Sequence, residues 1–321
     1  MTSPSTVPPV PPEALREETG VSVAPQTTTL KHAFARYEAI RERLPAMPDR
    51  GPPVRMENLL DTAERFDAYL FDSFGVLNVG DTAIPGAAQC LSALRAMGKP
   101  FCVLTNAASY TGEAALAKYR RMGLDVRRGE VVSSRDIAFR HLDALAPGIA
   151  WAAISAEGDG FEDTDARLLD LLDRDEAWSA AEGFMFLSSA RWNERLQDRL
   201  VAELSARPRP LVVANPDLVA PREDGLTLEP GWWCHDIQDR TTVRPHFFGK
   251  PYAAAFELAA ERLGPGRIAM VGDTLHTDIL GGAAAGCGTI LVTRHGILAG
   301  SNADEAITRS GIVPDVVIPS I

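Results

Sequence analysis

The chain has 321 residues, 45% of them apolar and 23% charged, which suits a globular protein of one large domain or two ordinary ones. Its formal net charge of −11 disfavours nucleic acid and anionic membrane as partners, yet leaves room for an anionic substrate met by a bound cation. No apolar run is long enough to span a bilayer, no signal peptide is evident, and Cys90, Cys102, Cys234 and Cys287 show no CxxC spacing, so a reducing cytoplasm is expected.

Residues 1–28 are rich in Pro, Thr, Ser and Glu and predict a flexible arm. A helical extension follows over 29–59. Leu30, Ala33, Tyr37, Ile40 and Leu44 recur at helical spacing, and the prolines at 45, 48, 52 and 53 end that helix. A short helix is expected at Glu57–Phe66. Next comes AYLFDSFGVL at 68–77, an apolar run that ends on one acid and a glycine turn. Such a run suits a strand buried on both faces of a parallel sheet, with Asp72 at its C-terminal end. The acid is either a turn or helix cap, or a nucleophile or metal ligand.

Ile84-Pro85-Gly86 opens a helix whose apolar face is Cys90, Leu91, Leu94 and Met97. Phe101–Leu104 reads as a second buried strand and ends at Thr105-Asn106, ahead of a helix at about 112–122. Alternation of strand and helix marks a doubly wound parallel sheet. The texture then changes. Strands are expected at Val131-Val132, Trp151–Ile154, Phe184–Leu187 and Leu211–Ala214, with helices at 134–146, 164–173 and 191–206. The acidic stretch 157–165 reads as a solvated turn. Residues 123–247 therefore form an expected inserted α/β domain, flanked by the core at 60–122 and 248–321. In the second core segment, Lys250-Pro251 precedes a helix, Ile268–Val271 is a buried strand ending at Gly272-Asp273, and a small-residue helix covers 279–285. Thr289–Val292 and an edge strand at Val316–Ile318 close the chain.

Asp72, Thr105 with Asn106, Lys250, and Asp273 with Asp278 thus gather at strand ends or helix starts. Phosphoryl transfer needs such a set: a carboxylate to attack phosphorus, Mg²⁺ held by carboxylates to neutralise the dianion, and a hydroxyl and an ammonium on the phosphoryl oxygens. Asp72 fits the nucleophile, Asp273 and Asp278 the metal side, Thr105 and Lys250 the phosphoryl clamp. A dinucleotide-binding domain is disfavoured, because no GxGxxG follows the first strand.

The motifs LFDSFGVL (70–77), VLTNA (103–107), FGKP (248–251) and VGDTLHTDI (271–279) together resemble the haloacid dehalogenase superfamily. VVSS at 131–134, ANPDLV at 214–219 and the long insertion resemble its subclass with a C2-type cap, the NagD-like and p-nitrophenyl phosphatase-like proteins. The resemblance implies a doubly wound, Rossmann-like parallel-sheet core with an inserted α/β cap, Mg²⁺, and a small phosphorylated metabolite as substrate. It implies Asp72 as nucleophile and metal ligand, Thr105, Asn106 and Lys250 as phosphate-binding groups, and Asp273 as metal ligand. Asp278 would stand behind the metal, and the backbone carbonyl of Phe74 would face it. From the cap, Asn215, Trp232 and Trp233 are expected near substrate, and a homodimer through the cap is expected.

One position departs from the pattern. The family's motif usually carries a second Asp two residues after the nucleophile, which protonates the leaving alkoxide and then activates water; here it is Phe74. Losing that proton donor costs roughly 10²–10⁴ in rate on an alkyl phosphate. The expectations that follow are a substrate with a good leaving group, a substitute donor among His235, Asp236, Asp239 and His276, or a protein that binds a phosphorylated ligand without efficient turnover. Phosphotransfer or another C–X cleavage on the same nucleophile is a further alternative.

Overall fold

The first and last parts of the chain build one seven-stranded sheet in the computed structural model, which describes residues 26–222 and 225–321. Its order is Val54–Arg55, Val316–Ile318, Gly288–Val292, Ile268–Gly272, Ala68–Phe71, Phe101–Thr105, Val131–Ser133. Every neighbouring pair is parallel. Ala68–Phe71 and Phe101–Thr105 are buried along their whole length, as continuous apolar runs covered on both faces must be. Tyr69, Phe71 and Val103 point into one core with Leu91 and Leu94. Leu70, Cys102 and Leu104 point into the other with Ala255 and Phe256, so strand alternation divides the helices between two faces.

A second, five-stranded parallel sheet lies in the inserted block. Its order is His246–Phe247, Leu211–Val213, Gly183–Phe186, Trp151–Ile154, Leu168–Asp170. Phe184, Phe186, Trp178, Trp192 and Leu200 form a core of its own. The chain is thus an α/β protein with two parallel sheets, as the alternating pattern predicts.

Several local expectations fail, each for a physical reason. Val131–Ser133, read with the inserted block, extends the seven-stranded sheet beside Phe101–Thr105. The helix expected at 164–173 is absent. Leu168–Asp170 instead pairs with Trp151–Ala153, and Asp170 is fixed by Ser155 and Arg191, so tertiary pairing overrides a leucine-rich pattern that suits either state. Val316–Ile318 is not the edge, because Val54–Arg55 pairs outside it from within the proline-rich stretch. The helix at Glu57–Phe66 shrinks to a 3-10 turn at Leu59–Thr62, and the first helix stops at Ala39 before a 3-10 turn at Arg41–Arg43. Of the expected arm, residues 1–25 lie outside the described residues. Thr27–Thr28 form a strand on Leu226 and Thr227 of a hairpin, Val219–Arg222 with Gly225–Leu228, that the sequence reading missed.

The helix Leu30–Ala39 ties the two sheets together. Toward the inserted unit, the Leu218 N–H donates to Tyr37 Oη at 3.2 Å, and Arg36 pairs with Asp239 at 2.7 Å, joined there by Arg43. Toward the core, Glu38 Oε1 lies 2.6 Å from His276 Nε2, and Tyr37 stacks on the His276 ring with centroids 4.6 Å apart. One short amphipathic helix therefore spans both units.

The acidic stretch at 157–165 is more than a solvated turn. Arg135, fully buried, donates to Asp159 at 2.6 and 2.8 Å and to Asp163 at 2.7 and 2.8 Å. The Asp159 side chain is only 4% exposed, so its charge depends on that guanidinium. Arg135→Met should lower the unfolding free energy by about 3–5 kcal/mol in urea titrations. A loss under about 1 kcal/mol would mean the carboxylates find other partners.

Candidate active site

Three neighbouring strands deliver their C-terminal ends to one edge. Asp72 follows Phe71, Asp273 follows Gly272, and Thr105 ends its own strand. The registers Val271↔Phe71 and Phe71↔Val103 bring those ends level, and the Asp72 N–H donates to the Val271 carbonyl at 2.9 Å. Ligands of open α/β sheets bind at this edge. The loop after Asp72 is held on all sides. The Ser73 N–H donates to Asp72 Oδ1 at 2.7 Å, Ser73 Oγ donates to Asn78 Oδ1 at 2.7 Å, and the Tyr119 hydroxyl donates to Ser73 Oγ at 2.9 Å. Gly75 has φ +80°, and a Cβ there would stand 2.7 Å from the Asp273 carboxyl group. Only glycine lets this loop take that turn and lie against the second acid.

Lys250 joins the acids from the other side. Its Nζ lies 2.6 Å from Asp72 Oδ1 and 2.8 Å from Asp278 Oδ1, with the side chain only 2% exposed. Burial by itself would drive the proton off this ammonium; Asp278, Asp72 and Asp217 outweigh it and raise the group above its ordinary value. Asn106 fixes the lysine by its backbone: Asn106 Oδ1 accepts the Lys250 N–H at 2.8 Å, and Asn106 Nδ2 donates to the Lys250 carbonyl at 2.9 Å and to Asp217 at 2.8 Å. Asp278 Oδ2 accepts the N–H groups of Asp273 and Thr274, both at 3.1 Å, and Asp273 Oδ2 accepts the Ile297 N–H at 2.6 Å.

Carboxylate oxygens of Asp72, Asp273 and Asp278 all lie within 4.8 Å of one another. Burial, then Asp278 and Asp72, push Asp273 well above the usual carboxylate range, and burial pushes Asp278 up to about 6. Such crowding of like charge around one ammonium leaves a deficit of positive charge. An all-oxygen set of hard donors fits a divalent cation there. Asp278 is engaged by Lys250 and two backbone N–H groups, so Asp72 and Asp273 are the better direct ligands. The Phe74 carbonyl lies in the loop that Gly75 lays against Asp273.

Residues 69–162 match the family model described as haloacid dehalogenase-like hydrolase, and residues 247–321 match a second model of HAD-hydrolase-like proteins. An acid sugar phosphatase of Staphylococcus aureus is 31% identical over 232 residues, 71% of this chain and 87% of that protein. The chain belongs to the haloacid dehalogenase-like hydrolases. A possible sugar phosphatase of this superfamily from Cytophaga hutchinsonii superposes with a TM-score of 0.72 at 26% identity, covering 83% of this chain and 98% of that one. A p-nitrophenyl phosphatase from Archaeoglobus fulgidus gives 0.68 at 25% identity, covering 79% and 96%. The inserted five-stranded unit stands where the sequence resemblance implies a cap.

Within this HAD-like frame, the other predicted residues divide. Thr105 is buried at the end of its strand, where its Oγ1 accepts the Ala107 N–H at 3.2 Å. Asn215 is directed within the cap: it donates to Glu229 at 3.2 Å and accepts the Asp217 N–H at 3.0 Å. Trp233 is buried in the cap core, and Trp232 packs between that core and the N-terminal helix. On the helix Pro230–Arg240, Trp233 is buried and Trp232 half-buried, so Trp233 offers no stacking surface. Three of the four proposed substitute donors are engaged elsewhere. Asp236 accepts from Gln197 and Arg240, Asp239 is held by Arg36, and His276 by Glu38. The carboxyl that the cap does bring to the site is Asp217, overlooked although it ends the quoted Asn-Pro-Asp. Burial raises it to about 8, and Asn106 ties it to Lys250.

His235 is buried against Phe247, ring centroids 4.6 Å apart. Burial, then Arg43 and Arg36, lower it to about 3, so it stays neutral in the fold. A histidine depressed in the native state stabilises the fold above its unfolded value of about 6.5, and that contribution is lost as pH falls toward 3. Between about pH 6 and 4 the wild type should lose stability faster than His235→Phe, by up to about 1.4 kcal/mol per pH unit. Parallel curves in urea titrations at those pH values would contradict the assignment.

Proposed function

We propose that the protein is a Mg²⁺-dependent phosphohydrolase of small phosphorylated metabolites that forms an aspartyl phosphate on Asp72. The observation that carries the reading is the Asp72 carboxylate, held by Lys250 at 2.6 Å and facing Asp273 and Asp278 at the sheet edge. The phosphatase names of the similar proteins support it. Asp72 Oδ1 takes the Ser73 N–H and the Lys250 ammonium, which leaves Oδ2 as the attacking atom. Oδ2 bonds to phosphorus, and the ester P–O bond breaks with its electron pair going to the alcohol oxygen. Lys250 and Thr105 then bind the phosphoryl oxygens as charge develops on them. Asp72, Asp273 and the Phe74 carbonyl would hold the divalent cation, which would supply the charge that lets the dianion approach a carboxylate. Water attack on phosphorus then breaks the bond to Asp72 Oδ2, whose electron pair returns to the carboxylate; the water's proton passes to solvent, from which the alcohol oxygen takes its own. The four free cysteines fit a cytoplasmic site of action, where thiols stay reduced.

Phe74 shapes both halves of the reaction. It donates no proton to the leaving oxygen and takes none from the attacking water. An aryl phosphate, which leaves as a stable phenolate, should be turned over at least ~10²-fold faster than an alkyl phosphate. Its release should show a burst near one equivalent per site, followed by a slow steady phase limited by hydrolysis of the aspartyl phosphate. Asp72→Asn and chelation by EDTA should each abolish both phases. Equal rates on aryl and alkyl phosphates would mean another group donates the proton. Absence of any metal-dependent turnover would leave a phospholigand-binding protein, the second reading, which Phe74 alone favours.

A further inference from the structure

The ring of Phe74 lies in a pair of cations that the chemistry above leaves unused. The Lys118 ammonium stands 4.4 Å from the ring centroid, and the Arg222 guanidinium carbon 5.4 Å. They come from opposite halves of the molecule. Lys118 lies on the core helix Gly112–Arg121, and Arg222 ends the cap strand Val219–Arg222. Both are anchored to the site. Tyr119, beside Lys118, donates to Ser73 Oγ, the residue between Asp72 and Phe74. Arg222 contacts Glu229 Oε1 at 3.3 Å, and Glu229 is held in turn by Thr227 at 3.0 Å and by Asn215 at 3.2 Å.

Each cation has one carboxylate partner, Glu229 for Arg222 and Asp81 for Lys118. The Lys118 side chain is only 14% exposed, yet its carboxylate partner, Asp81 at 3.2 Å, is 88% exposed. Burial pulls Lys118 below its ordinary value, with Arg222 acting in the same direction and Asp81 opposing. Arg222 itself is 43% exposed. An aromatic face attracts such cations, and each keeps donors that a single carboxylate does not use up. In a chain of net charge −11, two cations converge on the residue two places from the nucleophile.

We propose that Lys118, Arg222 and the Phe74 ring form a subsite for a second anionic group, so that the protein takes phosphoric monoesters whose alcohol portion carries a carboxylate or a further phosphate. The inference rests on the phosphatase reading for the phosphoryl end, which Asp72 and Lys250 receive, and adds what holds the other end. Phe74 then has a positive role: where a carboxylate would repel an anionic leaving group, the ring gathers cations to it. Asn215 acts through Glu229 as a positioning residue for Arg222.

The test is binding, which does not depend on turnover. Calorimetry with Mg²⁺ on the Asp72→Asn protein compares 3-phosphoglycerate with glycerol 3-phosphate, and 1,3-propanediol bisphosphate with propyl phosphate. The doubly anionic member of at least one pair should bind about tenfold tighter or more, and the pair affected identifies the second anion. Arg222→Gln should cut that ratio several-fold, and Lys118→Met with Arg222→Gln should bring it to about parity. Arg222 is exposed enough for its variant to fold, which keeps the test decisive if the Lys118 variant does not. Equal affinities within both pairs, a ratio that survives Arg222→Gln, or no saturable binding at all would overturn the inference. Aryl phosphate hydrolysis by the unmodified protein judges the phosphatase reading separately.

Discussion

A single buried ammonium organises this molecule. Lys250 sits almost without solvent between Asp72 and Asp278, and removing it would leave three crowded carboxylates with no fixed counter-charge. Breaking a buried pair by deleting one partner is among the costliest single changes a fold can suffer. The surrounding structure is arranged to prevent it. Asn106 grips the lysine's backbone from the neighbouring strand, Asp278 caps the turn after Asp273, and Asp217 reaches in from the cap to the same amide. Core, cap and candidate metal side therefore meet through one side chain, and a displacement of any of them disturbs the nucleophile.

The cap is held by contacts that lie away from the chemistry. The N-terminal helix places Tyr37 on the Leu218 N–H of the cap and on His276 of the core, while Arg36 and Glu38 pair outward in opposite directions. Arg135 holds the acidic loop of the cap from a helix that follows a core strand. Exposed ion pairs of the Arg36 kind contribute little each. The buried stacking of Tyr37 on His276 and the closed Arg135 network carry more. Tyr37, on the Leu218 N–H, stands where the chain enters the hairpin that presents Arg222 to Phe74.

The sequence made some of this legible and concealed the rest for identifiable reasons. Asp72, Asp273 and Lys250 were readable because each follows a buried apolar strand or opens a helix, and a parallel sheet aligns such positions at one edge. Asn106 was readable as a site residue, but its engagement with the Lys250 backbone, 144 positions away, needs the folded register. Trp232 and Trp233 looked like a recognition surface because nothing local tells an inward helix face from an outward one. Leu168–Asp170 looked helical because its leucines satisfy both periods until Trp151–Ile154 supplies a partner. Lys118 and Arg222 carry no motif. Only the ring beside both of them, at a position where the sequence resemblance implies an acid, draws attention to them.

The central claim is that Asp72 is the nucleophile of a phosphatase that works without the usual neighbouring acid. It is tested most directly by acid-quenching the protein during aryl phosphate turnover and mapping its peptides by mass spectrometry. The account predicts a phosphoryl adduct on Asp72, accumulating because Phe74 cannot activate water for the second step. Turnover with no adduct, or with an adduct on another residue, would contradict it.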